Sequence, residues 1–344
     1  MHRIFFATLS ALAFCIGTAA STAAESVADF YKGRTVDMFV AAPPGGGYTA
    51  YARTIAKHMG RYIPGNPNIV VKNMPGSGGR KSVSYLYNVA PKNGAAFLGA
   101  QPGTLVEPIL GRKSNAKFDA LKFGYIGSAS GFTTLCLVRA GGPVKTFAEL
   151  QTTQAIFGGD NLGSTIYDHA QLMRNLAGAN IKLIKGYRGT KNLVMNMERA
   201  EIDGFCGYAW SSLMSRAPHL VEKNKANVLV QFGLEPHAEM TRRGIPRVWD
   251  FIKDENKRKA MELFANVQVF GRPYIAPPSI PRDRLAALQS AFLDTMKDAA
   301  FVAEIKKRRL TLDPTPGPRM RELVSAIYQA PPAVQKMARW ALTN

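Results

Sequence analysis

The residues with most chemical potential are not charged. Pro43-Pro44-Gly45-Gly46-Gly47-Tyr48-Thr49 places three glycines directly ahead of a helical pattern. Such a loop leaves backbone N–H groups bare at the positive end of a helix dipole, and together these attract an anion. The arrangement recurs. Gly76-Ser77-Gly78-Gly79 precedes Val83/Leu86/Tyr87, Gly163-Ser164-Thr165 precedes Ile166/Ala170/Met173, and Tyr187-Arg188-Gly189-Thr190 precedes Leu193/Val194/Met197. A plain βα turn also uses glycine and Ser/Thr caps, so it is the repetition that predicts a cradle for a carboxylate-bearing small molecule. Arg188 is placed to pair with a carboxylate in two-pronged fashion, or to brace its loop from outside.

Catalytic motifs fail one by one. Pro75-Gly76-Ser77-Gly78-Gly79-Arg80-Lys81-Ser82 comes near a phosphate-binding loop, but Pro75 and Arg80 stand where glycine is required. Gly127-Ser128-Ala129-Ser130-Gly131 comes near a nucleophile elbow, but its centre is Ala129. His58, His169, His219 and His237 lack metal-ligand spacing, and His58 reads as a surface residue. No catalytic residue, metal or cofactor is expected.

The elements that must hold these loops alternate between strand and helix, which predicts an α/β architecture with mainly parallel sheets. Residues 36–42, 69–71 and 96–100 read as strands, with helices over 49–62 and 81–89 between them. A second half follows, with strands at 135–138, 155–157, 181–184, 205–209 and 227–232. Asp203 reads as the end of the helix over 193–199. Residues 264–276 read as an extended return to the first half, before helices over 284–297, 302–308 and 319–329. The expected division is 1–24 as a signal peptide, 25–125 and 264–344 as one lobe, and 126–263 as the other. Ligand would sit between them, outside the carboxyl ends of the strands, where Gln101 and Ser128 also fall.

The N-terminus and composition agree with export. Arg3, an apolar run over 4–16 and the small residues Ala19-Ala20-Ser21-Thr22-Ala23-Ala24 order themselves as a cleavable secretory signal. The run is shorter than the roughly 20 residues that span a bilayer, and bulky Phe14 beside Cys15 disfavours lipid attachment. The mature chain keeps Cys136 and Cys206. An oxidising space permits a bridge between them, while their apolar surroundings slightly favour two buried thiols. The formal net charge of +20 is spread along the chain, and its densest run, Lys306-Lys307-Arg308-Arg309, reads as an exposed helix end. A nucleic-acid partner is not expected; a basic surface that concentrates anionic ligands is.

Taken in order, Pro43-Pro44-Gly45-Gly46-Gly47, Asn73-Met74-Pro75-Gly76-Ser77-Gly78-Gly79, Ala90-Pro91-Lys92-Asn93-Gly94, Gly186-Tyr187-Arg188-Gly189-Thr190 and Ala276-Pro277-Pro278 resemble the tripartite tricarboxylate transporter receptors, the Bug or TctC family. The resemblance spans nearly all of the mature chain. It implies a type II periplasmic binding fold with two hinged lobes, a small organic carboxylate as ligand, and delivery to a permease of one large and one small integral membrane subunit. It implies ligand contacts from Gly45, Gly46, Gly47, Tyr48 and Thr49 on the first lobe, and from Gly163, Ser164, Thr165, Tyr187, Gly189 and Thr190 on the second. Many members carry aspartate where Thr49 stands; losing that charge favours a plain or extended anion over an amino acid. A periplasmic, monomeric, non-enzymatic receptor is the leading expectation. An exported α/β enzyme acting on an organic acid, or a ligand-sensing module for a membrane signalling protein, are the alternatives.

Overall fold

In the computed structural model, residues 25–110 and 117–344 are described; the expected signal peptide lies outside them. The chain opens with α1 (Val27–Tyr31), β1 (Thr35–Val40), α2 (Gly47–Met59), β2 (Asn68–Asn73), α3 (Arg80–Asn88), β3 (Ala96–Gly99), α4 (Pro102–Leu110) and β4 (Gly124–Ser128). It then builds β5 (Thr134–Arg139), α5 (Phe147–Thr152), β6 (Ala155–Gly158), α6 (Thr165–Asn175), β7 (Ile181–Ile184), α7 (Gly189–Glu198), β8 (Gly204–Ala209), α8 (Trp210–Arg216), α9 (His219–Glu222), β9 (Ala226–Phe232), α10 (Ala238–Arg242) and α11 (Glu255–Gln268). It closes with β10 (Pro273–Ala276), α12 (Arg282–Lys297), α13 (Ala299–Lys307), β11 (Thr315–Pro316), α14 (Gly317–Tyr328) and α15 (Pro332–Thr343).

Two sheets result, ordered β11-β4-β10-β3-β1-β2 and β7-β6-β8-β5-β9. Each is the centre of one lobe, and the chain passes between them after β4 and before β10. Strand alternation decides the packing in the first sheet. Val36, Met38 and Val40 on β1 join Tyr51, Ile55 and Met59 of α2 and Phe292 of α12, while Phe39 joins Val83 and Leu86 of α3 on the other face. A strand apolar at successive positions is what a sheet covered on both faces requires.

Four expectations need correction. The sheets are mixed rather than mainly parallel: β1 runs parallel to β2 and β3, and β6 to β7 and β8, but β10 and β5 run antiparallel to their neighbours. These are the strands that follow the passages between lobes, so no βα crossover fixes their direction. Residues 264–268 are helical, because α11 continues from its Asp254 cap to Gln268 and leaves only 273–276 as strand. A further closing helix, α15, packs between α4, α6 and α11. The cysteines are bridged: Cys136 on β5 and Cys206 on β8 face each other in register with Cα atoms 4.0 Å apart.

Two polar residues also take unforeseen roles. Asp203 does not end a helix. It accepts hydrogen bonds from Arg139 Nη2 and the Ile156 amide, both at 2.9 Å, and so ties β5 to β6 ahead of β8. His58 is buried, not superficial. Its Nε2 lies 2.9 Å from Glu304 Oε2, which also accepts from Lys57 Nζ at 2.8 Å, while Arg61 pairs with Asp298 at 2.7 Å. This cluster fastens α13 onto α2. Its hydrogen bonds, first from His58 and then from Lys57, hold the Glu304 carboxyl down at about 2 against its ordinary 4.5. A depressed carboxylate stabilises the fold above its unfolded value and loses that contribution as pH falls toward its folded one. Glu304→Gln should therefore cost about 1–2 kcal/mol at pH 7, with the gap to the parent protein closing between pH 4.5 and pH 2. Urea titrations across that range measure it.

Candidate functional site

Three helix N-termini meet in one cleft between the lobes. The loop Pro43-Pro44 delivers Gly46, Gly47 and Tyr48 at the start of α2; the loop after β6 delivers Ser164, Thr165 and Ile166 at the start of α6; the loop after β7 delivers Arg188, Gly189 and Thr190 at the start of α7. These helices are 13, 11 and 10 residues long, enough for each first turn to carry its share of positive potential. Ser164 caps α6 by accepting from the Tyr167 amide at 3.2 Å. Gln101, just after β3, donates Nε2 to the Ala41 carbonyl at 2.8 Å and accepts from the Thr165 amide at 3.4 Å, so it bridges the lobes. Tyr48 and Thr165 approach hydroxyl to hydroxyl at 3.4 Å across the same gap.

The structure thus brings Gly46, Gly47, Tyr48, Gln101, Ser164, Thr165, Arg188, Gly189 and Thr190 to one cavity. Others fall outside its lining. Gly45 backs onto the side chain of Lys191. Thr49 is turned inward, donating to the Pro43 carbonyl at 3.0 Å and accepting from Asn73 Nδ2 at 2.8 Å; it braces the loop, and α2 is capped by Gly46 with no side-chain bond. Ser128 is wholly buried and accepts from the Arg272 amide. Gly163 lines a second cavity behind the cleft, and Tyr187 packs into the core beside Gly158. The Gly76–79 loop lies outside the cavity of the three helix starts: Gly78 packs on the main chain of 162–164, and Gly76, Gly78 and Gly79 line an adjoining cavity of about 270 Å³ together with Pro43, Gln101, Asp160 and Arg188.

The residue that sequence reasoning missed is the central one. Arg272 stands between α11 and β10, on the return passage between lobes, and is 3% exposed. Its amide donates to Ser128 Oγ and to the Ser130 carbonyl, each at 3.1 Å, which fixes its backbone. Its guanidinium lies 4.5, 4.8 and 5.1 Å from the ring centres of Tyr48, Phe132 and Tyr51. Nη2 donates to Ser212 Oγ at 3.0 Å and Nη1 to the Gly271 carbonyl at 3.3 Å; Nε is buried without a partner. Among the described residues it forms no ion pair with any carboxylate. The only legible signal was a basic residue beside glycine in a segment that crosses between lobes. Gly271 is needed there for space, since a Cβ would run into the Phe132 ring.

Lys191 adds a further cation to the lining and Asp160 the one carboxylate. Asp160 is 9% exposed, and burial raises its carboxyl above the ordinary range, against the lowering effect of hydrogen bonds from Asn161. Burial likewise keeps the Tyr48 phenol protonated. Three cations, one reluctant anion and three helix starts make a site that favours a negatively charged guest. No metal-binding group of His, Cys, Asp and Glu occurs among the described residues.

No protein-family model matches the chain, and no curated protein matches it. Solved structures do. MatC from Rhodopseudomonas palustris with bound malate is 17% identical and superposes with a TM-score of 0.69, covering 90% of this chain and 99% of that one. The periplasmic binding protein BugD is 18% identical, with a TM-score of 0.69 over 90% and 97% of the two chains. An R. palustris protein with adipate is 18% identical, with a TM-score of 0.67 over 89% and 97%. The chain accordingly has the two-lobed α/β fold of periplasmic solute-binding proteins.

Proposed function

We propose that the protein is an extracytoplasmic receptor that closes two lobes over a small organic carboxylate and hands it to a tripartite tricarboxylate-type membrane transporter. The observation that carries the reading is Arg272: a buried guanidinium, held by aromatic faces and one hydroxyl, whose charge no carboxylate of the described chain balances. Burying an unpaired charge costs several kcal/mol, so a site built this way is completed by an anionic ligand. The malate and adipate in the similar structures are of that class. Residues 1–24 would direct export to the periplasm and be removed, leaving lobes of 25–125 with 264–344, and of 126–263, working as a monomer.

Function then follows from population shift. Ligand touches Gly46, Gly47 and Arg272 from one side and Ser164, Thr165, Gly189 and Thr190 from the other only when the lobes meet, so binding favours the closed form, which the membrane subunits would read. The test is thermal melting of the purified protein with a panel of carboxylates, combined with mass spectrometry for turnover. A carboxylate at 100 times its Kd should add about 2.7 kcal/mol of stability and be recovered unchanged. No shift with any carboxylate, or conversion of one, defeats the proposal.

Asp160 provides a sharper check. An arriving carboxylate should raise its already elevated carboxyl further, so binding takes up a proton. Affinity should climb as pH falls from 7 toward the ligand's own carboxyl range, and Asp160→Asn should bind about 3–10-fold tighter at pH 7. Titration calorimetry in buffers of different ionisation enthalpy reads both.

A further inference from the structure

The cleft does not end at the three helix starts. Its cavity measures about 60 Å³ and adjoins the one of about 270 Å³ beside the Gly76–79 loop. Pro43, Gln101, Asp160 and Arg188 line both, so they form the join. The lobes face each other across the larger space, with Pro75 and Gly76 from the first and Asp160 and Asn161 from the second. At roughly 10–15 Å³ for each water-sized group, the smaller cavity has room for about four to six of them. A carboxylate and two or three carbons fill it.

The polar groups at the join differ in what engages them. Gln101 already donates to the Ala41 carbonyl and accepts from the Thr165 amide. Asp160 Oδ1 accepts from the Asn161 amide at 2.8 Å and from Asn161 Nδ2 at 2.9 Å. Arg188 is held only by its main chain, whose amide donates to Asn192 Oδ1 at 3.2 Å. Its guanidinium has no hydrogen bond, ion pair or ring contact among the described residues, and it is the one cation lining the larger cavity. The side chain is exposed. Exposed side chains change rotamer within nanoseconds, so its five N–H donors can turn to either cavity.

Resting on the receptor reading above, we infer that the two cavities form one binding path and that Arg188 selects the ligand by its far end. The ligand is then an acid long enough to leave the smaller cavity, with an oxygen acceptor, carboxylate or carbonyl, at its other end. Its head carboxylate lies with Arg272 and the helix starts. Its chain passes Pro43 and Gln101, and Arg188 donates to the far oxygen. Burial sets this direction. Arg272 is 3% exposed and has no counterion, so the group beside it must be an anion. Arg188 keeps its water until ligand arrives, and its donors serve a charged or a neutral oxygen. The far end also touches both lobes, so it adds to closure.

The experiment is calorimetric titration of the full mature protein with pimelate, its half-amide, heptanoate and succinate. Pimelate and the half-amide should bind at least tenfold tighter than heptanoate, which has the same chain and no far oxygen. A margin for pimelate alone assigns a second carboxylate; a margin for both assigns any oxygen acceptor. Arg188→Met should erase the margin while heptanoate changes less than threefold. Arg188→Lys, which keeps the charge without the fork, should restore part of it. Pro75→Trp, at an exposed position of the larger cavity, should weaken pimelate at least tenfold and succinate less than threefold. Asn161→Trp does the same from the other lobe should the first variant misfold. Heptanoate within threefold of pimelate in the parent protein, or a margin that survives Arg188→Met, overturns the role of Arg188 and leaves the receptor standing. Filled variants that bind pimelate as the parent does overturn the shared path in the same way. Failure of all four acids to bind the parent protein overturns both readings.

Discussion

Replacing Arg272 by methionine should weaken carboxylate binding at least 100-fold while the unliganded protein melts no lower than its parent. The two halves of that result have one cause. In the closed cleft the guanidinium is removed from water and meets rings at 4.5–5.1 Å, one serine hydroxyl and one carbonyl. Cation–π contacts and neutral hydrogen bonds offset part of the desolvation, but not a charge with no counterion. Methionine of similar reach fills the space without that cost, so the unliganded fold gives up little. The liganded complex loses a desolvated charge pair, for which 2–5 kcal/mol is the usual cost of truncation; 100-fold corresponds to about 2.7 kcal/mol. Arg272→Lys keeps the charge but not the planar fork that matches a carboxylate, and should fall between, about tenfold down. Calorimetry and melting of the same samples decide the matter. If Arg272→Met binds within threefold of the parent, or the unliganded variant loses 10 °C or more, by the roughly 2–4 °C per kcal/mol of a large domain, then Arg272 is a structural residue and the cleft is not built around it.

The loops were legible in the sequence because their job is local. Three glycines before a helix, or Ser164 three residues ahead of the amide it caps, announce themselves within a few positions. What is not local was missed. Arg272 becomes central only because Phe270-Gly271-Arg272 crosses back between lobes and Ser128, distant in sequence, holds its amide. Ser128 was read as facing ligand and instead positions the residue that does. Thr49 was read as a ligand contact; Asn73, arriving on the neighbouring strand, claims it for the loop. The Cys136–Cys206 bridge depends on the antiparallel register of β5 and β8, which no hydrophobic pattern reveals. The helical tract to Gln268 was read as extended because its apolar residues, Leu263, Phe264, Ala265 and Val267, run together. Helices buried by both lobes lose the amphipathic period that identifies them.

Gly78→Ala should abolish ligand-driven closure. Gly78 sits at φ +65° in the loop ahead of α3, where an added Cβ would stand 2.5 Å from the Gly163 carbonyl carbon and the Ser164 amide nitrogen. Those are main-chain atoms of the opposite lobe at the start of α6, and cannot rotate aside as a side chain does. The methyl therefore blocks the approach that brings Ser164 and Thr165 to the cleft, yet has nothing to strike once the lobes part. The left-handed backbone alone costs an alanine about 1–2 kcal/mol, and Gly33→Ala isolates that cost: Gly33 has φ +70° and nothing within 4 Å of its would-be Cβ. Both variants should lose similar unliganded stability. Only Gly78→Ala should lose carboxylate affinity, by about 30-fold or more, since a ligand then gains contacts from one lobe alone. Small-angle scattering supplies the geometric readout. Saturating ligand should shrink the radius of gyration of the parent and of Gly33→Ala, and leave that of Gly78→Ala unchanged. Were Gly78→Ala to bind and contract as Gly33→Ala does, the meeting of these two loops would not be the movement that captures ligand.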